Sequence, residues 1–128
     1  MEKTVISTTK APSAIGPYSQ AICANGFVFT SGQIPINPEN GEIPEGLEAQ
    51  THQVLKNISN LLQASGSDMA HVVKTVVFIK NMNDFAAINA IYATYFPEGS
   101  CPARSCVEVA RLPKDVLLEI ETIAVKAE

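Results

Sequence analysis

Val72-Val73-Lys74-Thr75-Val76-Val77-Phe78-Ile79 is the stretch on which the fold turns. Nearly every residue in it is apolar or β-branched, the composition of a central, well-covered strand. On its N-terminal side the period changes. Leu47, Val54, Leu55, Ile58, Leu61 and Leu62 fall on one side of a helix running from about Glu45 to Ala64, and Gly66 supplies the stop. Gln50, Gln53, Lys56, Asn57 and Asn60 are expected on the wetter side of that helix. On the C-terminal side a second helix is predicted from Asp84 to Phe96. Asn83 is its expected N-cap, Phe85, Ile88, Ile91, Tyr92 and Tyr95 form its packing side, and Pro97 ends it.

Two later strands follow, Ala103 to Val109 and Val116 to Val125. Upstream, Val5-Ile6-Ser7 reads as a weak first strand, and Ala21 to Cys23 pairs with Phe27 to Thr30 across Asn25-Gly26, a dipeptide that tolerates the positive φ of a tight hairpin. Ser31 to Gly46, with three glycines and three prolines, is a loop in which Asn40-Gly41 closes a small turn. The order predicts a single α/β domain spanning residues 1–128, with one sheet carrying two helices on one face. The other face then needs cover, and a closed oligomer with its sheets turned inward supplies it.

Composition narrows the function. The 128 residues hold thirteen acidic and nine basic side chains, a formal charge of -4, and the basic residues are scattered. Such a surface lacks the basic stripe that a nucleic-acid backbone requires, so nucleic acid is not an expected partner. No apolar run is long enough to span a bilayer, so neither is a membrane. Three cysteines, with no secretory leader in view, fit a reducing cytoplasmic location.

Arg104 is the residue to interrogate. In an extended segment it shares a face with Cys106 and Glu108, amid small and apolar neighbours. Its five donors suit a carboxylate or phosphate, and burial would leave it needing a partner. A structural ion pair and an anion site both satisfy that need. Glu119 and Glu121 share one strand parity and offer acid–base chemistry, edge charges, or partners for Arg104 and Arg111. Cys106 has electrostatic help towards a thiolate, but a strand cysteine is more often a small buried core residue. Gly16-Pro17-Tyr18-Ser19-Gln20 and Thr30-Ser31-Gly32-Gln33-Ile34-Pro35 are candidate pocket walls, with Tyr18 as an apolar plate and Ser31 and Gly32 as hydrogen-bonding groups. Asn89 and Tyr92, three residues apart on the second helix, reach the same pocket edge. His52 and His71 have no metal-binding spacing with the cysteines, and no nucleotide fingerprint is present; neither metal nor cofactor is expected.

Ala14-Ile15-Gly16-Pro17-Tyr18-Ser19-Gln20, Ser31-Gly32-Gln33-Ile34-Pro35, Asn83-Asp84-Phe85, Pro102 to Pro113 and Glu119-Ile120-Glu121 occur in an order that resembles the RidA, or YjgF-type, reactive intermediate deaminases from about Thr8 to Val125. The resemblance implies a chorismate-mutase-like fold, a homotrimer with pockets at subunit interfaces, and cofactor-free hydrolysis of short 2-imino acids to 2-oxo acids and ammonia. It further implies that Arg104 grips the substrate carboxylate and that Glu119 activates water. Tyr18, Ser31 and Gly32 would line the pocket, the backbone near Cys106 would orient the imine, and Asn89 would stand at the pocket edge. Cys101, where relatives often place an aromatic residue, departs from the pattern and leaves the substrate preference open. A non-catalytic small-acid-binding trimer is the main alternative, and RNA cleavage or translation inhibition a lesser one.

Overall fold

The computed structural model describes residues 2–127. A single mixed sheet is built from β1 (Lys3–Ile6), β2 (Ala21–Ala24), β3 (Phe27–Thr30), β4 (Val72–Ile79), β5 (Ala103–Glu108) and β6 (Leu118–Val125), accompanied by helices α1 (Leu47–Ala64) and α2 (Phe85–Tyr92). Across the sheet the order is β1-β2-β3-β6-β4-β5, and of its pairings β4 with β5 is the parallel one. The α/β class, the single sheet and the two helices are as the sequence predicts. No helix among the described residues is long and apolar enough to cross a membrane.

The β2–β3 hairpin forms where expected, with Asn25 and Gly26 both at positive φ. Helix α1 starts at Leu47, two residues later than the periodicity suggests, because Gly46 at φ 92 breaks the chain direction. Its end is a glycine-terminated cap: Gly66 is at positive φ, its N–H donates to Gln63, and the N–H of Ser67 donates to Leu62. The buried stripe of α1 places Val54, Leu55, Ile58, Leu61 and Leu62 fully inside. Each contributes about 1.5–3 kcal/mol of burial before entropy is counted. Facing them, alternate residues of β6, namely Leu118, Ile120 and Ala124, are equally enclosed.

Three expectations need correction. Gln50 and Asn57 are buried, not on the wet side. Asn57 Nδ2 donates to the carbonyls of Ile34 and Ile36, while Gln50 donates to Pro44 and accepts from Leu117 N–H, so this pair fastens the 31–46 loop to the helix. Asn83 is not the cap of the second helix. Asn81 accepts from Asn83 N–H and starts a 3₁₀ turn, Met82–Asp84, that leads into α2, and a second 3₁₀ turn, Ala93–Tyr95, replaces the last turn expected. Finally, β6 lies between β3 and β4, so Glu119 and Glu121 stand mid-sheet and are not edge charges. One face of β4 is closed over Thr75, Val77 and Ile79, while Lys74, Val76 and Phe78 on the other are only partly covered.

Gln20 fixes the chain between β1 and β2. Its Nε2 donates to the carbonyls of Thr8, Ala11 and Pro12, and its Oε1 accepts from Thr8 N–H, all from a nearly buried position. A carboxylate keeps the acceptor and loses the donor. Gln20→Glu is therefore expected to cost about 3 kcal/mol, seen as a lower urea midpoint at unchanged slope. An unmoved midpoint would show that the loop is held by other contacts.

Candidate active site

Arg104 projects from β5 towards α2. Its guanidinium carbon lies 5.3 Å from the centre of the Phe85 ring and 4.9 Å from that of Tyr92, and Nη1 donates to Asn89 Oδ1 at 2.6 Å. Phe85, Asn89 and Tyr92 occur at i, i+4 and i+7, so one helical stripe supplies all three contacts. The Tyr92 hydroxyl is in turn fixed by Thr75 Oγ1 at 2.7 Å, and Thr75 stands in register with Arg104. No carboxylate among the described residues pairs with Arg104. Among the described residues the structural ion pair is thus absent, and Arg111 takes Asp115, at 2.8 and 3.2 Å. What results is a half-buried cation held between two rings, with donors to spare.

Cys106 lies two residues along the same face and is also half-buried. Burial pushes its thiol above the usual range, and the nearby Arg104 offsets this only in part. Electrostatic help towards a thiolate therefore loses to desolvation. Cys101 is exposed and Cys23 buried, and all three thiols are free.

Glu119 faces the other way. Its strand neighbours Leu118 and Ile120 point into the core beneath the helices, so alternation turns Glu119 to the open face of the sheet. There it joins Tyr18, Ser31 and Gly32, with Ile15, Ile34 and Pro113, around a cleft of about 340 Å³. Burial, then the like charge of Glu121, raises the Glu119 carboxyl above the ordinary carboxylate range. The segment carrying Gly32 is pinned against it: Gln33 and Ile120 exchange both backbone hydrogen bonds. A Cβ on Gly32 would stand 2.0 Å from Glu119 Oε2. Gly32 is thus a matter of clearance, since its φ lies outside the left-handed region.

Ser31 and Tyr18 hold the rim. Ser31 Oγ donates to the carbonyl of Ser19 at 2.6 Å, which commits its proton to tying the Tyr18 loop down and leaves its lone pairs free. Tyr18 is about half exposed and its hydroxyl accepts from Ile15 N–H at 3.3 Å. Of the residues singled out from sequence, Tyr18, Ser31, Gly32 and Glu119 gather on one side of the sheet. Arg104, Cys106 and Asn89 gather on the other. One chain therefore carries these two groups of residues on opposite sheet faces. His52, bonded to the Tyr95 hydroxyl, and His71, bonded to Asp68, lie in neither. No group of three His, Cys, Asp or Glu side chains gathers to hold a metal among the described residues.

A six-stranded mixed sheet accompanied by two helices, with an arginine that meets no carboxylate among the described residues, places the chain in the α/β class. Residues 8–126 match the Endoribonuclease L-PSP family model. The 2-iminobutanoate/2-iminopropanoate deaminase of Escherichia coli K12 is 52% identical over 128 residues, covering 98% of this chain and 99% of that protein. A RutC family protein of Synechocystis is 58% identical over 98% of both chains. Among solved structures, Escherichia coli TdcF with bound serine superposes with a TM-score of 0.91 at 48% identity, covering 97% of this chain and 99% of that one. The chain belongs to the Endoribonuclease L-PSP family, the YjgF/RidA group.

Proposed function

We propose that this protein hydrolyses short 2-imino acids, 2-iminopropanoate and 2-iminobutanoate among them, to 2-oxo acids and ammonia. The observation that carries the reading is the Arg104 guanidinium, fixed by Asn89, Phe85 and Tyr92 but left without a carboxylate. A substrate carboxylate completes it through the bidentate fork. The deaminase name of a relative 52% identical supports the same chemistry.

Glu119 supplies the other half. A carboxyl raised above its usual range is a stronger base, suited to taking a proton from the water that attacks C2. Addition gives a carbinolamine, a proton passes to its nitrogen, and expulsion of ammonia restores a carbonyl. The water supplies the carbonyl oxygen. No redox change occurs, no covalent bond to the enzyme forms, and this route uses no cofactor.

Because the half-sites lie on opposite faces, the reading includes a second copy that brings its Glu119 cleft to the Arg104 side of the first. The open face supports such an assembly: Phe29 and Val107 are 42% and 43% exposed there, and Val5 and Ile123 lie in register with Phe29 across the sheet. A closed homotrimer is the order that the family resemblance implies.

The test generates the imine with an amino-acid dehydratase and follows its loss. Decay should accelerate in proportion to added protein, and equal decay with and without protein would remove the reading. A companion variant, Gly32→Ala, should lower kcat/KM by about 100-fold by driving the Glu119 carboxylate off its position, with little loss of thermal stability. Full activity in that variant would mean Glu119 acts from elsewhere.

A further inference from the structure

Behind the Tyr18–Gly32 wall lies a small cavity that the hydrolysis scheme does not use. It offers about 30 Å³ to the centres of water-sized groups, enough to admit a water, and is lined by residues that include Ser13, Ile15, Tyr18, Gly32, Gln33 and Ile34. Four of these, Ile15, Tyr18, Gly32 and Ile34, also wall the Glu119 cleft, so the two spaces adjoin.

Gln33 is 5% exposed, and its Oε1 is the one buried side-chain nitrogen or oxygen among the described residues without a hydrogen-bond partner. Its orientation is settled by chemistry. Nε2 donates to the Ser31 carbonyl at 3.1 Å, and turning the amide over would set oxygen against oxygen there. The backbone of Gln33 is equally fixed, by its two bonds to Ile120. A rigid, buried acceptor without a protein partner, beside a space that admits water, is suited to receive an O–H donor.

We propose that Gln33 forms a one-oxygen binding site at the inner end of the cleft, taking a water when the ligand side chain is short and the terminal hydroxyl of a longer ligand in its place. Gln33 is then a specificity-determining residue, favouring 2-imino and 2-oxo acids with a side-chain hydroxyl over methyl-ended isosteres. A methyl group that displaced the water would leave Oε1 unpaired, whereas a hydroxyl restores the bond. The proposal rests on the imine-hydrolysis reading only for its choice of ligands.

The test uses the intact protein and stable 2-oxo acids. Calorimetry compares 4-hydroxy-2-oxobutanoate with 2-oxopentanoate, and 5-hydroxy-2-oxopentanoate with 2-oxohexanoate, in wild type and in Gln33→Met, which keeps volume and removes the acceptor. At the chain length that reaches, wild type should favour the hydroxylated acid by about tenfold or more, and Gln33→Met should bring the ratio to about one. A crystal structure without ligand should show an oxygen within hydrogen-bond distance of Gln33 Oε1. Equal ratios in the two proteins overturn the specificity role, and an empty cavity overturns the site. Loss of all 2-oxo acid binding in wild type would count against the Arg104 clamp, while the density at Gln33 would still decide this proposal.

Discussion

Arg104→Lys is expected to lower kcat/KM for imine hydrolysis by about two to three orders of magnitude, roughly 3–4 kcal/mol of lost transition-state binding. Charge survives the substitution; geometry does not. The planar fork lies between Phe85 and Tyr92 and is aimed by Asn89 Oδ1. An ammonium stacks less well on two rings and presents no parallel pair of donors to a carboxylate. The loss should fall on KM as well as on kcat, because the carboxylate is gripped in the ground state too. Steady-state kinetics on the enzymatically generated imine checks this. Wild-type kcat/KM in the lysine protein would reduce Arg104 to a point charge and remove the bidentate clamp.

Glu119→Gln should cut kcat by about 10²- to 10⁴-fold while leaving affinity for a stable 2-oxo acid nearly unchanged. Glutamine fills the same place over Gly32 but cannot take a proton. In wild type the base form is needed, so activity should fall as pH drops through the Glu119 pKa, and that limb should lie above the ordinary carboxylate range. Stability should move the opposite way. A carboxyl raised on folding binds its proton more tightly in the native state, so its ionisation opposes folding at pH values above the raised pKa and not below the unfolded one. The glutamine variant should therefore be the more stable protein at neutral pH, and its advantage should vanish in acid. An unchanged pH–rate profile in the variant would sink the role of Glu119.

Much of the fold was legible because local chemistry set it: Asn25-Gly26 made the hairpin, the apolar stripe of α1 and the glycine after it set that helix, and Val72–Ile79 formed a strand. Strand order was not legible. That β6 enters between β3 and β4 depends on long-range pairing, and this moved Glu119 from an edge to mid-sheet. The parities of β5 and β6 could be read from sequence, but which parity meets the helices is a tertiary fact, and it set Arg104 and Glu119 on opposite faces of the sheet. Gln50 and Asn57 were hidden by their polarity, although their spacing to Val54 and Leu61 sets them on the same stripe. For the site itself, the residue types around Arg104 were readable, whereas Phe85 as a ring beside its guanidinium needed the fold.

The placement of Arg104 and Glu119 on opposite faces has a genetic meaning. In the proposed assembly each pocket draws its clamp from one copy and its base from the next. Two inactive alleles, one lacking the clamp and one lacking the base, would then rescue each other when expressed together, since mixed rings contain some pockets with both parts whole. An allele lacking both would not be rescued by either. Within one gene, the two residues would behave as separate complementation groups.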